Sequence, residues 1–240
     1  MCRLLGVSAR EPAPLQRYLS GFPHGLLAMS LHGAQAPHRD GVGWAYRDCC
    51  GRMRLHRWGR GPLVGSEGLP GDLSRQTTLL VAHARKASPE YRTTLGALQA
   101  QPLVRDGLFL AHNGTIRDVA VLGEGIGTDS QRLLDWLVEA WRPRTPERLP
   151  AVLSKLGGMI RDYTAVNVVL TDGDILYALR LCARDPAYYT LHWRTGGGAV
   201  VVASEPLDEG PGWTALGNGE LLAIYPDLSV AAWPAVPSPI

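Results

Sequence analysis

Short apolar runs rich in Val, Leu and aromatic residues, interrupted by Gly and Asp, recur along the chain and predict many strands. Residues 79–85 form one such run and 108–112 another. Runs at 165–170 and 175–181 flank Thr171-Asp172-Gly173-Asp174, whose composition predicts a hairpin turn. Runs at 199–203 and 221–225 follow Gly196-Gly197-Gly198 and Asn218-Gly219, so the carboxyl-terminal third reads as almost all strand. In the middle of the chain the period changes. Thr128 with Gln131 three residues on forms a capping box, after which Leu133, Leu134, Leu137, Val138 and Trp141 share one helical face. Thr145-Pro146 opens a second helix, with Pro at its first position and Leu149, Val152, Leu153, Leu156 and Ile160 as its buried stripe. Shorter helical patterns cover 14–19 and 26–32. Strand clusters at both ends with helices between them predict an α+β domain of helices packed on β-sheet, not an alternating parallel fold.

Composition narrows the class. For 240 residues, surface scaling predicts ~10,500 Å² exposed of ~38,000 Å² in the extended chain, enough for one full core, so a single domain over 1–240 is expected. A formal charge of +2, from 24 basic and 22 acidic side chains, supplies no basic cluster for nucleic acid or an anionic membrane. The four cysteines (Cys2, Cys49, Cys50, Cys182) fit neither a disulfide framework nor a zinc site, which points to a reducing compartment and no metal. The apolar start, Leu4, Leu5 and Val7 after Arg3, ends at Arg10 and Glu11, too soon for a signal core, and no apolar run is long enough to span a bilayer. A cytoplasmic protein that keeps its own amino terminus is expected. The glycine-spaced run His38-Arg39-Asp40-Gly41-Val42-Gly43-Trp44-Ala45-Tyr46 enters a strand but lacks the Lys and Ser/Thr of a phosphate loop and fails the dinucleotide spacing, so no cofactor is expected.

Four places carry candidate chemistry, each with a plain alternative. Cys2 becomes the first residue if Met1 is removed; its α-amine, of ordinary pKa ~7.7–8.0, can then take the proton of its own thiol, ordinarily ~8.5. Otherwise it is a small apolar residue in the first strand. In the run 79–88, alternation puts Val81, His83 and Arg85 on one face. Arg85 is suited to grip a carboxylate at two points, or else ends the strand in solvent. His83 reads by itself as a hydrogen-bonded core histidine. Asn113-Gly114 after a strand is a hairpin signal; alternatively the Asn113 amide and the Gly114 N–H converge to hold an oxyanion. With Thr128 as the cap, Asp129 falls at the first helical position, its carboxylate free to hold an ammonium group or simply complementing the helix dipole. Taken together, these groups describe recognition of a γ-glutamyl group with attack at its side-chain carbonyl.

The chain resembles the class II glutamine amidotransferases, whose nucleophile is an amino-terminal cysteine. It is similar in particular to their single-domain branch, which includes the ergothioneine-pathway γ-glutamyl hydrolase. The matching elements are Met1-Cys2-Arg3-Leu4-Leu5-Gly6, His38-x-Asp40-Gly41-x-Gly43, His83-x-Arg85-x-Ala87, Gln101-Pro102-Leu103, Ala111-His112-Asn113-Gly114, Thr128-Asp129-Ser130 and Ala203-Ser204-Glu205-Pro206-Leu207. The resemblance implies a four-layer αββα sandwich of the N-terminal-nucleophile hydrolase type and a γ-glutamyl thioester on Cys2. It implies Cys2 as nucleophile, Asn113 with Gly114 as oxyanion hole, Arg85 on the glutamyl α-carboxylate and Asp129 on its α-amine. His83 and Ala87 join the substrate side through their shared motif, and Asp40-Gly41 lines the site through backbone. Lys86 stands where larger relatives carry Trp. The expected function is hydrolysis of a γ-glutamyl amide, releasing glutamate and an amine or ammonia. The alternatives are a glutaminase subunit serving a separate ammonia-accepting synthetase, or a non-catalytic γ-glutamyl or amino-acid binding protein.

Overall fold

The computed structural model describes residues 2–59 and 69–236. In chain order the strands are β1 (Arg3–Pro14), β2 (Gly41–Arg47), β3 (Met53–Trp58), β4 (Gln76–Arg85), β5 (Leu103–Arg105), β6 (Leu108–Ile116), β7 (Tyr163–Thr171), β8 (Leu176–Leu179), β9 (His192–Gly196), β10 (Ala199–Ala203), β11 (Thr214–Ala215), β12 (Glu220–Ile224) and β13 (Val230–Pro234). The α-helices are α1 (Leu26–His32), α2 (Asp129–Ala140) and α3 (Leu149–Met159).

Two antiparallel sheets result, one of order β11-β9-β10-β1-β4-β2-β3 and one of order β13-β12-β8-β7-β6-β5. They stack face to face. Leu4, Leu79 and Val81 of the first sheet meet Ala111, Val169 and Ala178 of the second in a core between the sheets. The opposite face of the first sheet, with Leu5, Leu80 and Ala82, packs on Leu26 and Met29 of α1. The outer face of the second, with Leu110, Val168 and Leu170, packs on Leu133, Leu137, Leu153 and Leu156 of α2 and α3. The fold is therefore the expected α+β sandwich of four layers, αββα. The central strands β1, β4, β6 and β7 are covered on both faces, which is why they read as unbroken apolar runs rather than alternating ones. Each fully buried Leu or Val in these layers contributes roughly 1.5–3 kcal/mol.

The capping box forms as expected: Thr128 Oγ1 accepts from Gln131 N and Gln131 Oε1 accepts from Thr128 N. Three sequence expectations need correction. Residues 14–19 are not one helix, because β1 continues through Pro14 and the following turn, Arg17–Gly21, is of π type. The Pro146 helix is split into a 3-10 turn, Pro146–Arg148, and α3, whose first two positions hold a second proline, Pro150. Asn113-Gly114 is no hairpin: both residues lie inside β6, paired with Asn167 and Val166 of β7.

Candidate active site

The centre of the first sheet delivers Cys2. β1 lies between β10 and β4, and Leu4 pairs with His83, so Cys2 emerges beside the end of β4 where Arg85 stands. β6 of the second sheet faces it from across the inter-sheet core. There the Cys2 nitrogen, which becomes the α-amine once Met1 is removed, donates to Asn113 Oδ1 at 2.8 Å. The thiol points to the Lys86 carbonyl oxygen at 3.7 Å. Asn113 is fully buried, and its Nδ2 has no hydrogen-bond partner. An amide whose oxygen is engaged and whose N–H groups are unpaired is a donor held in reserve, since such a buried group otherwise costs free energy.

Gly114 is required by its surroundings. Its φ is +150°, and a Cβ there would lie 1.8 Å from the Ala165 oxygen. The β6–β7 register shifts between Gly114 and Ile116, an irregularity of the kind that re-aims backbone groups at functional sites.

Cys2, Arg85, Ala87, Gly114 and Asp129 line one small cleft. Arg85 is 5% exposed, so it does not end in solvent; its Nη1 donates to the Thr94 oxygen at 2.8 Å, one of the five donors a guanidinium carries. The Asp129 carboxylate is not idle as expected: Oδ2 accepts from Ile116 N and Oδ1 from Ser130 N, each at 2.9 Å. Two bonds leave a carboxylate about half of its acceptor capacity. Asp40 differs from its expected role, because its side chain, not its backbone, accepts from Ala87 N at 2.9 Å and so holds the segment after Arg85. His83 is fully buried and does not line the cleft. Neither of its ring nitrogens has a well-formed hydrogen bond, contrary to the expectation of a bonded core histidine.

Sequence reasoning missed the support behind these groups. Tyr91 Oη accepts from Asp129 N at 3.0 Å. His112 Nε2 faces the Ala165 carbonyl oxygen at 3.3 Å, and a carbonyl only accepts, so the proton is on Nε2 and Nδ1 accepts from Ser130 Oγ at 2.9 Å. Gln101 closes the network, its Nε2 donating to Ser130 Oγ and its Oε1 accepting from His112 N. The motifs Gln101-Pro102-Leu103 and Thr128-Asp129-Ser130 were visible, but that they bond to each other was not. Burial, with the charge of Arg85, drives the His83 pKa well below its ordinary value against a weak pull from the His112 backbone. His112 is lowered by burial despite Asp129, and His38 is pushed down to about 3 by burial and Arg3. All three rings are neutral at physiological pH. A larger concavity lies beside Trp44, Tyr46 and the exposed Cys49 and Cys50, away from Cys2. Size does not select the site; the convergence of polar groups on Cys2 does.

A two-sheet αββα sandwich with its first residues presented between the sheets defines the N-terminal-nucleophile hydrolase class. A family profile, glutamine amidotransferases class-II, matches residues 1–194, and the chain belongs to that family. Among solved structures, it is similar to glutamine phosphoribosylpyrophosphate amidotransferase from B. subtilis, at 21% identity and a TM-score of 0.65 over 97% of this chain. The match covers 49% of that enzyme, so the chain spans about half its length. A glutamine aminotransferase class-II domain protein from Silicibacter pomeroyi matches at 17% identity and a TM-score of 0.61, covering 97% of this chain and 98% of that one. A predicted glutamine amidotransferase from Pseudomonas aeruginosa matches at 19% identity and a TM-score of 0.58, covering 95% and 99%. No curated protein sequence matches the chain. Among the described residues, no helix is long and apolar enough to cross a membrane.

Proposed function

We propose that the protein hydrolyses γ-glutamyl amides through a thioester on Cys2. The observation that carries this reading is the 2.8 Å contact of the Cys2 nitrogen with Asn113, directly behind the cleft that Cys2 lines with Arg85 and Asp129. After removal of Met1, the free α-amine takes the thiol proton, and the thiolate attacks the γ-carbonyl carbon. Negative charge then develops on the carbonyl oxygen, where Asn113 Nδ2 and the Gly114 N–H donate to it. The carbon–nitrogen bond breaks, and the departing amine receives the proton held on the α-ammonium. Water attacks the thioester, glutamate leaves, and the thiol is restored. Arg85 pairs with the glutamyl α-carboxylate at two points, while the open acceptor positions of Asp129 take the α-ammonium. Neutral His38, His83 and His112 favour this assignment, because a buried ring held uncharged is a poor acceptor of the thiol proton.

Incubating tag-free protein with glutamine, glutathione and γ-glutamyl conjugates of larger amines, including a histidine-derived sulfoxide of the ergothioneine type, and measuring released glutamate tests the reading. Turnover that vanishes in Cys2→Ala is expected. Glutamate release unaffected by that substitution, or absent with every γ-glutamyl compound, refutes it. Preference for glutamine would instead favour ammonia delivery to a separate synthetase.

A further inference from the structure

The run Ala203-Ser204-Glu205-Pro206-Leu207 is far from Cys2 in the chain, lines no part of the cleft and has no part in the steps above. The geometry points to Arg3 and its counter-charge Glu205 as positioning residues that fix the orientation of Cys2; this rests on Cys2 being the nucleophile.

β1 and β10 pair through Leu5 and Ala203, and the pairing is then extended by side chain and backbone together. Leu4 N donates to Ser204 Oγ at 2.9 Å, and Ser204 N donates to the Leu4 oxygen at 3.0 Å. One residue earlier Arg3 turns back into the protein. It is 1% exposed, and its Nη1 donates to the Cys2 carbonyl oxygen at 3.2 Å. Its Nη2 pairs with Glu205 Oε1 at 2.8 Å and also donates to the Ala34 oxygen. Glu205 Oε1 accepts from Ala34 N at 2.9 Å, so the carboxylate is itself anchored to the segment after α1. The guanidinium carbon lies 4.7 Å from the centroid of the Tyr188 ring, which covers one face of the cation.

Cys2 is thereby held at both ends of its residue. Asn113 takes its nitrogen and Arg3 its carbonyl oxygen, which leaves its backbone little rotation and sets the direction of the thiol. The planar fork of Arg reaches Cys2, Ala34 and Glu205 at once; a Lys ammonium on a flexible stem has no such fixed fan of donors. A charge this buried persists only with an acceptor of opposite sign, and Glu205 supplies it. The nucleophile is an amino terminus, the part of a chain most prone to fray. A clamp from a distant strand is what such a nucleophile needs.

The test uses wild type, Arg3→Met, Arg3→Lys and Glu205→Gln, each released with Cys2 first by site-specific cleavage of an amino-terminal fusion. Four quantities are read: kcat and KM on the best γ-glutamyl amide, the rate of Cys2 alkylation by iodoacetamide, and the thermal midpoint. Arg3→Met is expected to lower kcat and the alkylation rate together, on the order of 10- to 100-fold, with KM unchanged, the scale on which slight misplacement of a reacting group acts. Arg3→Lys should recover part of both rates, and Glu205→Gln should lose part of both while keeping the Ala34 contact. Wild-type alkylation and kcat in Arg3→Met, or a loss confined to KM or to the thermal midpoint, overturns the assignment. If Arg3→Met does not fold, Glu205→Gln decides by the same criteria. Should wild type cleave no γ-glutamyl amide, the proposed activity fails, yet the alkylation comparison still decides whether Arg3 and Glu205 position Cys2.

Discussion

Asn113→Asp changes one group and keeps the shape of the side chain. In the resting protein Oδ1 already accepts from the Cys2 nitrogen at 2.8 Å, a contact the variant retains. Nδ2 makes no hydrogen bond, so nothing in the substrate-free state depends on it. Its loss is felt only when an oxyanion forms, and removing one such donor costs roughly 2.7–4 kcal/mol, about 100- to 1,000-fold in kcat. A second effect has a definite sign. A carboxylate against the α-amine stabilises the ammonium form and raises that pKa above its ordinary ~7.7–8.0. The amine works as a base only when unprotonated, so the acid limb of kcat must move to higher pH. Glutamate release measured from neutral to alkaline pH, on protein with Cys2 first, separates the two effects. The pH shift is reversible by raising pH; the loss of the donor is not. A variant whose kcat stays within about tenfold of wild type, or about 1.4 kcal/mol, at alkaline pH would refute the oxyanion role of Asn113.

Gly114→Ala places a Cβ 1.8 Å from the Ala165 oxygen at a φ of +150°; backbone must move, and a stability loss of at least ~1–3 kcal/mol should appear as a lower urea midpoint together with lost activity. Arg85→Lys keeps a charge but loses the two-point grip, so KM for a γ-glutamyl amide should rise about tenfold or more with a smaller change in kcat; steady-state kinetics on substrates with and without the α-carboxylate would show whether the effect is tied to that group. Away from the site, Asp208 is paired with Arg194 through both oxygens at 2.7 and 2.8 Å, and this pairing lowers its pKa to about 2 from 3.8. A depressed carboxyl pKa means stability that is present above about pH 4 and is lost as pH falls toward 2. Thermal midpoints across that window should fall more steeply for wild type than for Asp208→Asn, and equal slopes would show that this pair is not linked to acid stability.

The fold was legible where one physical rule dominates. The hairpin at residues 171–174 follows from turn chemistry, and α2 from a capping box and a stripe of Leu and Val; neither depends on distant contacts. The long strand β1 was not, because its far end, Pro12-Ala13-Pro14, looks like a helix start while Ala13 and Pro14 pair with Thr77 and Gln76 of β4, a non-local contact that local propensity does not encode. Asn113-Gly114 shows the same limit in sharper form. Its hairpin signal is local and strong, but Ala165 and Asn167 of β7 lie alongside, and the glycine is used for close approach of backbone rather than for a turn.

The site divides along the same line. Cys2, Arg85, Asn113, Gly114 and Asp129 could be nominated singly, since each has a residue type suited to one task. What makes four of them line one cleft, with Asn113 behind it, is the stacking of two sheets, which brings the end of β4 and the β6 bulge to the start of β1. The supporting residues had no such signature. Gln101, Ser130 and His112 form one network only because their donors and acceptors alternate in space, and Arg3 looks from sequence like an ordinary basic residue beside an apolar run. Among the described residues it is nevertheless the most deeply buried arginine, at 1% exposure. Hydrophobic patterning cannot announce a buried cation whose counter-charge, Glu205, arrives from the opposite end of the chain. The proposed nucleophile is therefore readable from position, while the contacts that surround it are readable only from the fold.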